Sequence, residues 1–283
     1  MSHAILLVSS PDQKGITASV TQFIYKNNGN IVHADQHIDE QSNTFFLRIE
    51  WSLDGFDISR DKIKERFTPI ANKFRMIWEL SFTDQRPKIA VYVSRHLHCL
   101  VDILYRHKAG QLPCDIPMII SNHSDVKTIA NDFRIKCHVM PITEINKEDQ
   151  EAKQIDIIQQ GNIDFIVLAR YHQILSAKFV SAFQNRIINI HHSFLPAFVG
   201  KNPYLQAYEK GVKVIGATSH FVTEELDQGP IIEQSTVRIS HRDSLEDLVR
   251  KGEDLEKVVL NRALRLALQK KILSYSNKTV IFD

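Results

Sequence analysis

Four short, continuous apolar runs in the second half of the chain constrain its fold more than any other feature. They are residues 89–93, 118–120, 165–168 and 187–190. Strands without polar alternation are buried on both faces, which is typical of parallel strands covered by helices on either side. Two longer strands are expected at 212–222 and 231–239, and a capped amphipathic helix from Asp243 towards Leu273. This α/β alternation predicts an open, doubly wound, mainly parallel sheet.

The first 85 residues follow a different pattern. The predicted strands are 4–8, 31–39, 45–51 and 76–82. Two helical stripes separate them, one at Ile16, Val20, Phe23 and Ile24, the other at Ile63, Phe67, Ile70 and Phe74. Asp12 is positioned to cap the first helix, and the alternation along 45–51 predicts a half-buried strand. The order βαββαβ predicts a ferredoxin-like sandwich with both helices on one face of an antiparallel sheet.

A polar segment that ends in proline, residues 83–87, separates these two patterns and serves as the expected linker. The predicted domains are therefore residues 1–85 and residues 86–283. A smaller unit would precede a larger one.

The composition excludes several classes of protein. With 35 Lys and Arg against 33 Asp and Glu, the net charge of +2 gives no overall field for nucleic acid. The longest uncharged run, residues 187–200, is too short to cross a bilayer, and no signal-peptide pattern opens the chain. Three cysteines without CxxC spacing indicate neither a disulfide framework nor a zinc knuckle. We expect a cytoplasmic protein without membrane or nucleic-acid partners.

Two polar groups within this apolar frame suggest chemistry. Asn189 and His191 are two residues apart on a predicted strand, so they point to the same side, where an amide and an imidazole could polarise a carbonyl and move a proton. Asp227 precedes a Gly-Pro turn and could orient a histidine or take a proton from water. Alternatives stay open at this point: the strand residues could satisfy backbone groups, and spacing alone favours Asp227 as an ordinary turn residue.

Metal and nucleotide chemistry have weaker support. His96, His98 and Cys99 lie near a predicted helix start, but residues two apart diverge on a helix, and we predict no metal site. The segment after the first strand of the second domain, residues 94–99, contains no glycine. Its composition argues against a nicotinamide cofactor and against a phosphate cradle at that turn.

Taken together, these motifs resemble the formyltetrahydrofolate-dependent formyltransferase family. The resemblance rests on residues 189–196, on 220–222 with 226–232, and, for the hydrolytic branch of the family, on 121–123, 169–176 and 203–208. Residues 11–16 resemble the start of an ACT regulatory domain. His172 and Leu205 depart from the pattern of the hydrolytic branch, which usually has Met and His there.

The resemblance implies a catalytic triad of Asn189, His191 and Asp227 acting on the formyl group of 10-formyltetrahydrofolate, with no cofactor. In this hypothesis Asp227 deprotonates the attacking water and supports protonated His191, while Asn189 and His191 stabilise the oxyanion. The implied substrate-binding residues are Ala169, Tyr171, Gln173, Ile174, Leu175, His220, Val222, Thr223 and Glu224.

Water is the expected acceptor, because the chain offers neither a phosphate loop for a ribonucleotide nor an added C-terminal domain for tRNA. The products would be tetrahydrofolate and formate, which would supply purine synthesis and balance the one-carbon folate pool. The alternatives are a transformylase with an unrecognised amine acceptor and a non-catalytic folate or amino-acid sensor.

The ACT resemblance implies regulation as well. It predicts a homo-oligomer that binds an amino acid such as glycine or methionine, with Asp12, Gly15 and Ile16 as the effector site. The alternative is a helix start without a ligand.

Overall fold

The computed structural model describes residues 2–197 and 202–282 and divides into two compact units. Unit 1 comprises 1–86, 269–275 and 279–283, and unit 2 comprises 87–268 with 276–278. The division near the expected linker falls between Arg86 and Pro87. The expectation that everything after residue 85 belongs to one domain is wrong at the C-terminus, because the last strands pack within unit 1.

Unit 1 has the predicted βαββαβ order. Its elements are β1 (His3–Pro11), α1 (Ile16–Lys26), β2 (Asn30–Asp39), β3 (Thr44–Ser52), α2 (Arg60–Lys73) and β4 (Ile77–Phe82). The strands form an antiparallel sheet in the order β2-β3-β1-β4. One face packs with both helices around a core that includes Leu6, Val20, Ile49 and Phe67. The ferredoxin-like prediction is confirmed.

The start of α1 differs from the prediction. Gly15, with φ 94°, is the residue before the helix, and no side chain caps it. Asp12 instead comes directly after β1 and uses its backbone N–H to bond the carbonyl of Asn43 at 2.9 Å. Because β1 extends to Pro11, Asp12 belongs to the end of the strand and lies too early in the chain to cap the helix.

Unit 2 contains seven strands and six helices among the described residues. The strands are β5 (Lys88–Val93), β6 (Asp115–Ser121), β7 (Lys136–Val139), β8 (Phe165–Leu168), β9 (Ile187–His191), β10 (Val214–Phe221) and β11 (Ile231–Arg238). The helices are α3 (His98–Lys108), α4 (Val126–Asp132), α5 (Lys147–Gln160), α6 (Ala177–Ala182), α7 (Pro203–Glu209) and α8 (Leu245–Leu268).

The sheet of unit 2 has the order β11-β10-β9-β8-β5-β6-β7, in which β5 to β9 are parallel and β10 and β11 are antiparallel. The predicted doubly wound, mainly parallel sheet is confirmed. Strand β7 was not predicted, because only four residues with a mixed pattern, KCHV, form it.

The end of the chain corrects the predicted extent of the last helix. Helix α8 ends at Leu268, and Leu273 lies in β12 (Ile272–Tyr275), which pairs with β13 (Lys278–Ile281). Lys270, with φ 52°, takes a left-handed conformation that ends the helical path. Val280 and Phe282 are buried with Leu7 and Phe46, on the sheet face opposite the helices.

This packing changes the character of β3, which is buried on both faces and not half-buried as predicted. Phe46 has no exposed surface, and Arg48 is only 3% exposed. The guanidinium of Arg48 donates to the carbonyl of Lys270 at 2.9 Å and to the carboxylate of Glu50 at 2.9 Å. A buried cation on this face is therefore paired, as its burial requires.

Candidate active site

The candidate site of unit 2 lies where β8 and β9 end at their carboxyl edge. Strand β10 runs antiparallel to β9, and its register places His220 opposite Asn189 and Thr218 opposite His191. Two further segments complete the site, residues 170–175 after β8 and residues 222–227 after β10. This is the edge at which open α/β sheets bind their ligands.

Asp227 contacts two histidines at this edge. Its carboxylate lies 3.2 Å from Nδ1 of His191 and 3.7 Å from Nε2 of His220, with a side chain only 10% exposed. Burial alone would raise the pKa of this carboxyl, but the hydrogen bond from His191 and the proximity of both histidines outweigh burial and hold the pKa well below its ordinary value. Asp227 is therefore a stable anion that can hold His191 in one orientation.

The turn that carries Asp227 is fixed by close packing. Asp227 has φ 55°, a left-handed conformation. A Cβ at Gly229 would overlap the backbone carbonyl of Phe221, so only glycine fits beside the end of β10. Phe221 also donates its N–H to the carbonyl of Pro230 at 2.9 Å. These contacts fix the position of the turn and of the carboxylate that it carries.

Asn189 is oriented by His220. Nδ1 of His220 lies 2.9 Å from the carbonyl of Phe221, and since a carbonyl only accepts, this nitrogen bears a hydrogen. In neutral His220 the other nitrogen, Nε2, then accepts from the side-chain amide of Asn189 at 3.2 Å. The second amide hydrogen of Asn189 is left to polarise a carbonyl oxygen in the cavity.

A cavity of about 280 Å³ joins these residues. It is lined by Leu168, Arg170, Tyr171, His172, Gln173, Ile174, Leu175, Asn189, Ile190, His191, His192, His220, Val222, Thr223, Glu224, Leu226 and Asp227. Nε2 of His191 is buried and has no hydrogen-bond partner in the described structure. The imidazole therefore has one nitrogen on Asp227 and the other ready to exchange a proton with a ligand.

The structure brings together all three predicted triad residues and eight of the nine predicted substrate-binding residues. The exception is Ala169, which is fully buried and does not line the cavity. Its N–H donates to the carbonyl of Tyr92 at 2.8 Å, because residue 169 still continues the strand path of β8. The last residues of the uncharged run that begins at Ile187, 198–200, lie outside the described residues.

Sequence reasoning missed Arg170 and His192 as residues of the cavity. Each comes directly after a residue already singled out, and that adjacency to a strand end was the one available signal. Burial first, and then the charge of Arg170, lowers the pKa of His192 to about 3, so this imidazole is neutral at neutral pH. Its ring centroid lies 5.2 Å from that of His191.

A buried carboxylate, Glu256 of α8, lies among residues next to this cavity. It has no exposed surface, accepts from the hydroxyl of Tyr204 at 2.5 Å and lies 2.8 Å from Nε2 of His98. Burial would raise its pKa, but the hydrogen bond from His98 and the charge of Arg170 lower it. Glu256 is therefore an anion balanced by its neighbours.

His98, Cys99 and Glu256 also place one ligand atom each within 4.8 Å of one another. Burial, and then the charge of Glu256, raise the pKa of the Cys99 thiol, which disfavours the thiolate that a metal needs. The carboxylate is already bonded to His98 and Tyr204, and the cationic Arg170 lies 3.5 Å away. These contacts favour a charge network over a metal centre.

The predicted effector residues lie at the start of α1 in unit 1. Ile16 is buried in the core, whereas Gly15 is exposed and Asp12 is partly exposed. The turn between β1 and α1 thus presents backbone more than side chains to solvent.

The fold and this site define a formyl transferase domain linked to an ACT domain. Residues 87–264 match the formyl transferase family, and residues 4–71 match the ACT domain. The chain belongs to the formyltetrahydrofolate deformylase branch of that family.

Individual relatives agree. A formyltetrahydrofolate deformylase from Synechocystis sp. is 55% identical over 279 residues, covering 99% of this chain and 98% of the relative. The crystal structure of a formyltetrahydrofolate deformylase from Pseudomonas syringae pv. tomato superposes with a TM-score of 0.98 at 44% identity, covering 100% of this chain and 95% of that chain. Glycinamide ribonucleotide transformylase 1 from Symbiobacterium toebii superposes less completely, with a TM-score of 0.67 at 31% identity, covering 72% of this chain and 98% of that chain.

Among the described residues, no helix combines the length and the apolar composition that a bilayer crossing requires.

Proposed function

We propose that this chain hydrolyses 10-formyltetrahydrofolate to tetrahydrofolate and formate. The observation that carries the proposal is the paired arrangement of His191 with Asp227, 3.2 Å apart, in a cavity that also contains the oriented amide of Asn189. These are the groups that hydrolysis of a formamide needs: a proton acceptor, an anion that stabilises its protonated form and a hydrogen-bond donor to the oxyanion. The deformylases among the relatives agree with this reaction.

The electrostatics favour one assignment of catalytic roles to Asp227, His191 and Asn189. The lowered pKa of Asp227 makes it a weak base, so the expectation that it deprotonates water gives way to a role in holding His191 and supporting its charge. Nε2 of His191 takes the proton from water as the oxygen bonds to the formyl carbon. Asn189 donates to the oxyanion, and donors of this type contribute about 2.7–4 kcal/mol.

Collapse of the tetrahedral intermediate completes the reaction. The bond between carbon and N10 breaks, and the proton held on His191 passes to N10. The formic acid that remains ionises to formate, so that all atoms of water and substrate are accounted for.

Water rather than an amine is the proposed acceptor. The segment after β5, where a phosphate loop would lie, begins with a residue that is already bonded within the protein: Ser94 is 2% exposed, and its hydroxyl donates to Asn122 at 2.8 Å and accepts from the N–H of His172 at 3.1 Å. The likeness to the Symbiobacterium toebii transformylase keeps an amine-dependent transformylase as the second candidate.

The test is to incubate purified full-length protein with 10-formyltetrahydrofolate and no amine. Release of formate and tetrahydrofolate in equal amounts supports hydrolysis. Turnover that appears only when an amine such as glycinamide is added would contradict it and favour the transformylase.

We further propose that unit 1 is regulatory, that it binds an amino acid such as glycine or methionine at the turn of Asp12, Gly15 and Ile16, and that the protein forms a homo-oligomer. The ACT match supports the effector class. Both tryptophans, Trp51 and Trp78, lie in unit 1, so their fluorescence reports on it directly. A saturable fluorescence change with one amino acid is expected, and no change with any of the twenty would contradict this proposal. The cytoplasmic location stays a prediction.

A further inference from the structure

Arg170 is a cation without a matching role in the proposed mechanism. Its side chain lines the cavity yet is only 9% exposed, and its Nε is buried with no hydrogen-bond partner among the described residues. The backbone at Arg170 has φ 63°, a left-handed conformation that is uncommon for a residue with a side chain. Such conformations are retained mostly where surrounding contacts and function require them.

The neighbours of Arg170 hold its charge in place without satisfying its hydrogen bonds. Its one ion pair within residues 2–197 and 202–282 is to Glu256, at 3.5 Å from Nε. That carboxylate is bonded more closely to Tyr204, at 2.5 Å, and to His98, at 2.8 Å. A guanidinium has five N–H donors in a planar fork, so this group has donors to spare for an anion in the cavity.

Arg170 lies on the side of the cavity that carries His172 and His192. It comes directly after Ala169 at the end of β8, and β8 pairs with the strand that carries Asn189. Its charge contributes, after burial, to the low pKa of His192, whose ring is 5.2 Å from that of His191. An anion formed beside His191 therefore has a cation within the same cavity.

We infer that the guanidinium of Arg170 binds the carboxylate of formate, the anionic product of hydrolysis. This inference rests on the proposed function. Asp227 is an anion, so it repels the formate that forms next to it, and Arg170 supplies the opposite charge in a site largely withdrawn from water. The fork geometry of arginine matches the two oxygens of a carboxylate.

The glutamyl tail of the folate is the other source of a carboxylate in this cavity. Formate is favoured because the charge of Arg170 acts on His192, whose ring lies 5.2 Å from that of His191, where formate forms. The glutamyl tail is separated from the formyl nitrogen by the benzoyl group.

The experiment measures binding of sodium formate to the full-length protein by calorimetry, with sodium chloride as the salt control. The variants are Arg170→Gln and Arg170→Lys, and Arg250→Gln on the exposed face of α8 is the matched control, with a side chain 72% exposed. We expect Arg170→Gln to raise the Kd of formate about tenfold, or ~1.4 kcal/mol. The Kd of formate in Arg170→Lys should lie between that of the unaltered protein and that of Arg170→Gln, since lysine keeps the charge but lacks the planar fork.

Any of three results would overturn the inference. The first two are no saturable formate binding to the unaltered protein and an unchanged Kd of formate in Arg170→Gln. The third is a higher KM in that variant only for substrates that carry the glutamyl tail. If Arg170→Gln does not fold, Arg170→Lys and the unaltered protein decide the question. The proposed function is judged separately by formate release without an amine. If the protein releases formate without an amine, but Arg170→Gln binds formate as tightly as the unaltered protein does, only this inference is refuted.

Discussion

The pair of His191 and Asp227 shows how a residue acquires its role from its neighbours. The carboxylate lies 3.2 Å from one imidazole and 3.7 Å from a second, and both lower its pKa. Replacing Asp227 with Asn keeps the shape and removes the charge. We expect Asp227→Asn to lower the rate of formate release about 100-fold to 10⁴-fold, because protonated His191 loses its counter-charge.

Folate binding should be spared in this variant, since the side-chain volume is unchanged. Single-turnover rates and equilibrium binding of the substrate measure the two effects separately. Asp132→Asn, an exposed residue at the end of α4, is the matched control. A rate within a few-fold of the control would refute the role assigned to Asp227.

His192 predicts a pH dependence of stability. Its pKa is lowered to about 3 by burial and by the charge of Arg170, whereas an unfolded histidine titrates near ~6.5. Between these values the unfolded chain binds a proton that the folded chain does not, so the free energy of unfolding falls as the pH falls through this window. From pH 7 to pH 5 the expected loss is ~2 kcal/mol.

The variant His192→Gln cannot bind this proton and should not suffer that loss. Urea unfolding followed by far-UV circular dichroism at both pH values, on both proteins, measures the difference. Parallel pH dependences of the two proteins would exclude His192 as the source.

At the scale of single residues, the sequence predicted the features that depend on chain order alone. The i, i+2 spacing placed Asn189 and His191 on one side of a strand, and the structure agrees. Their meeting with Asp227 depends on the antiparallel register of β9 and β10, which spacing does not contain. Arg170 was missed as a site residue because its left-handed backbone and its buried partner on α8 are tertiary features.

Helix α8 carries Glu256, the buried partner of Arg170, and the fit of this helix against Tyr204 depends on Gly252. A Cβ at 252 would overlap the hydroxyl of Tyr204, which donates to Glu256 one helical turn further on. We expect Gly252→Ala to lower the free energy of unfolding, because overpacking costs typically ~1–3 kcal/mol and outweighs the ~1 kcal/mol that alanine gives a helix.

Urea unfolding monitored by far-UV circular dichroism measures this change. Asp254→Ala on the same helix, with a side chain 67% exposed, is the control and should stay within ~0.5 kcal/mol. Greater stability of Gly252→Ala would mean that Tyr204 moves at no cost and that the glycine is not required.

The start of α8 was easier to predict from the sequence than its end. Ser244 and Asp247 form a reciprocal cap, in which the hydroxyl of Ser244 accepts from the N–H of Asp247 at 3.2 Å and the carboxylate of Asp247 accepts from the N–H of Ser244 at 3.0 Å. These residues are local in sequence, so a capped start could be predicted, but the cap is Ser244 and not Asp243, whose carboxylate accepts from the N–H of Ser240 at 2.7 Å. The end could not, because apolar Leu273 fits both a helical stripe and the strand that it forms in unit 1.

Over the whole molecule, the last residues of the chain are part of the core of unit 1. Phe282 is 1% exposed and packs with Leu7 and Phe46. Replacing it with alanine should destabilise unit 1 by about 3–5 kcal/mol, the usual cost of removing a buried phenyl ring. Since both tryptophans lie in unit 1, the urea transition of tryptophan fluorescence should move to lower urea.

Asn277→Ala in the exposed turn between β12 and β13 is the control for this experiment. A tryptophan transition of Phe282→Ala at the same urea concentration as the control would show that the hairpin is dispensable to unit 1.

The sequence by itself determined the features that depend on local order: the change of pattern near residue 86, the strand and helix types, and the residues that end the strands. Hydrophobic periodicity and strand length set these features before any long-range contact forms. The tertiary structure decided which strand ends meet, which carboxylate binds which imidazole, and that the face of β3 opposite the helices is covered by a hairpin more than 200 residues away along the chain. Those outcomes depend on register and packing between distant segments, and the pattern of one segment carries no information about them.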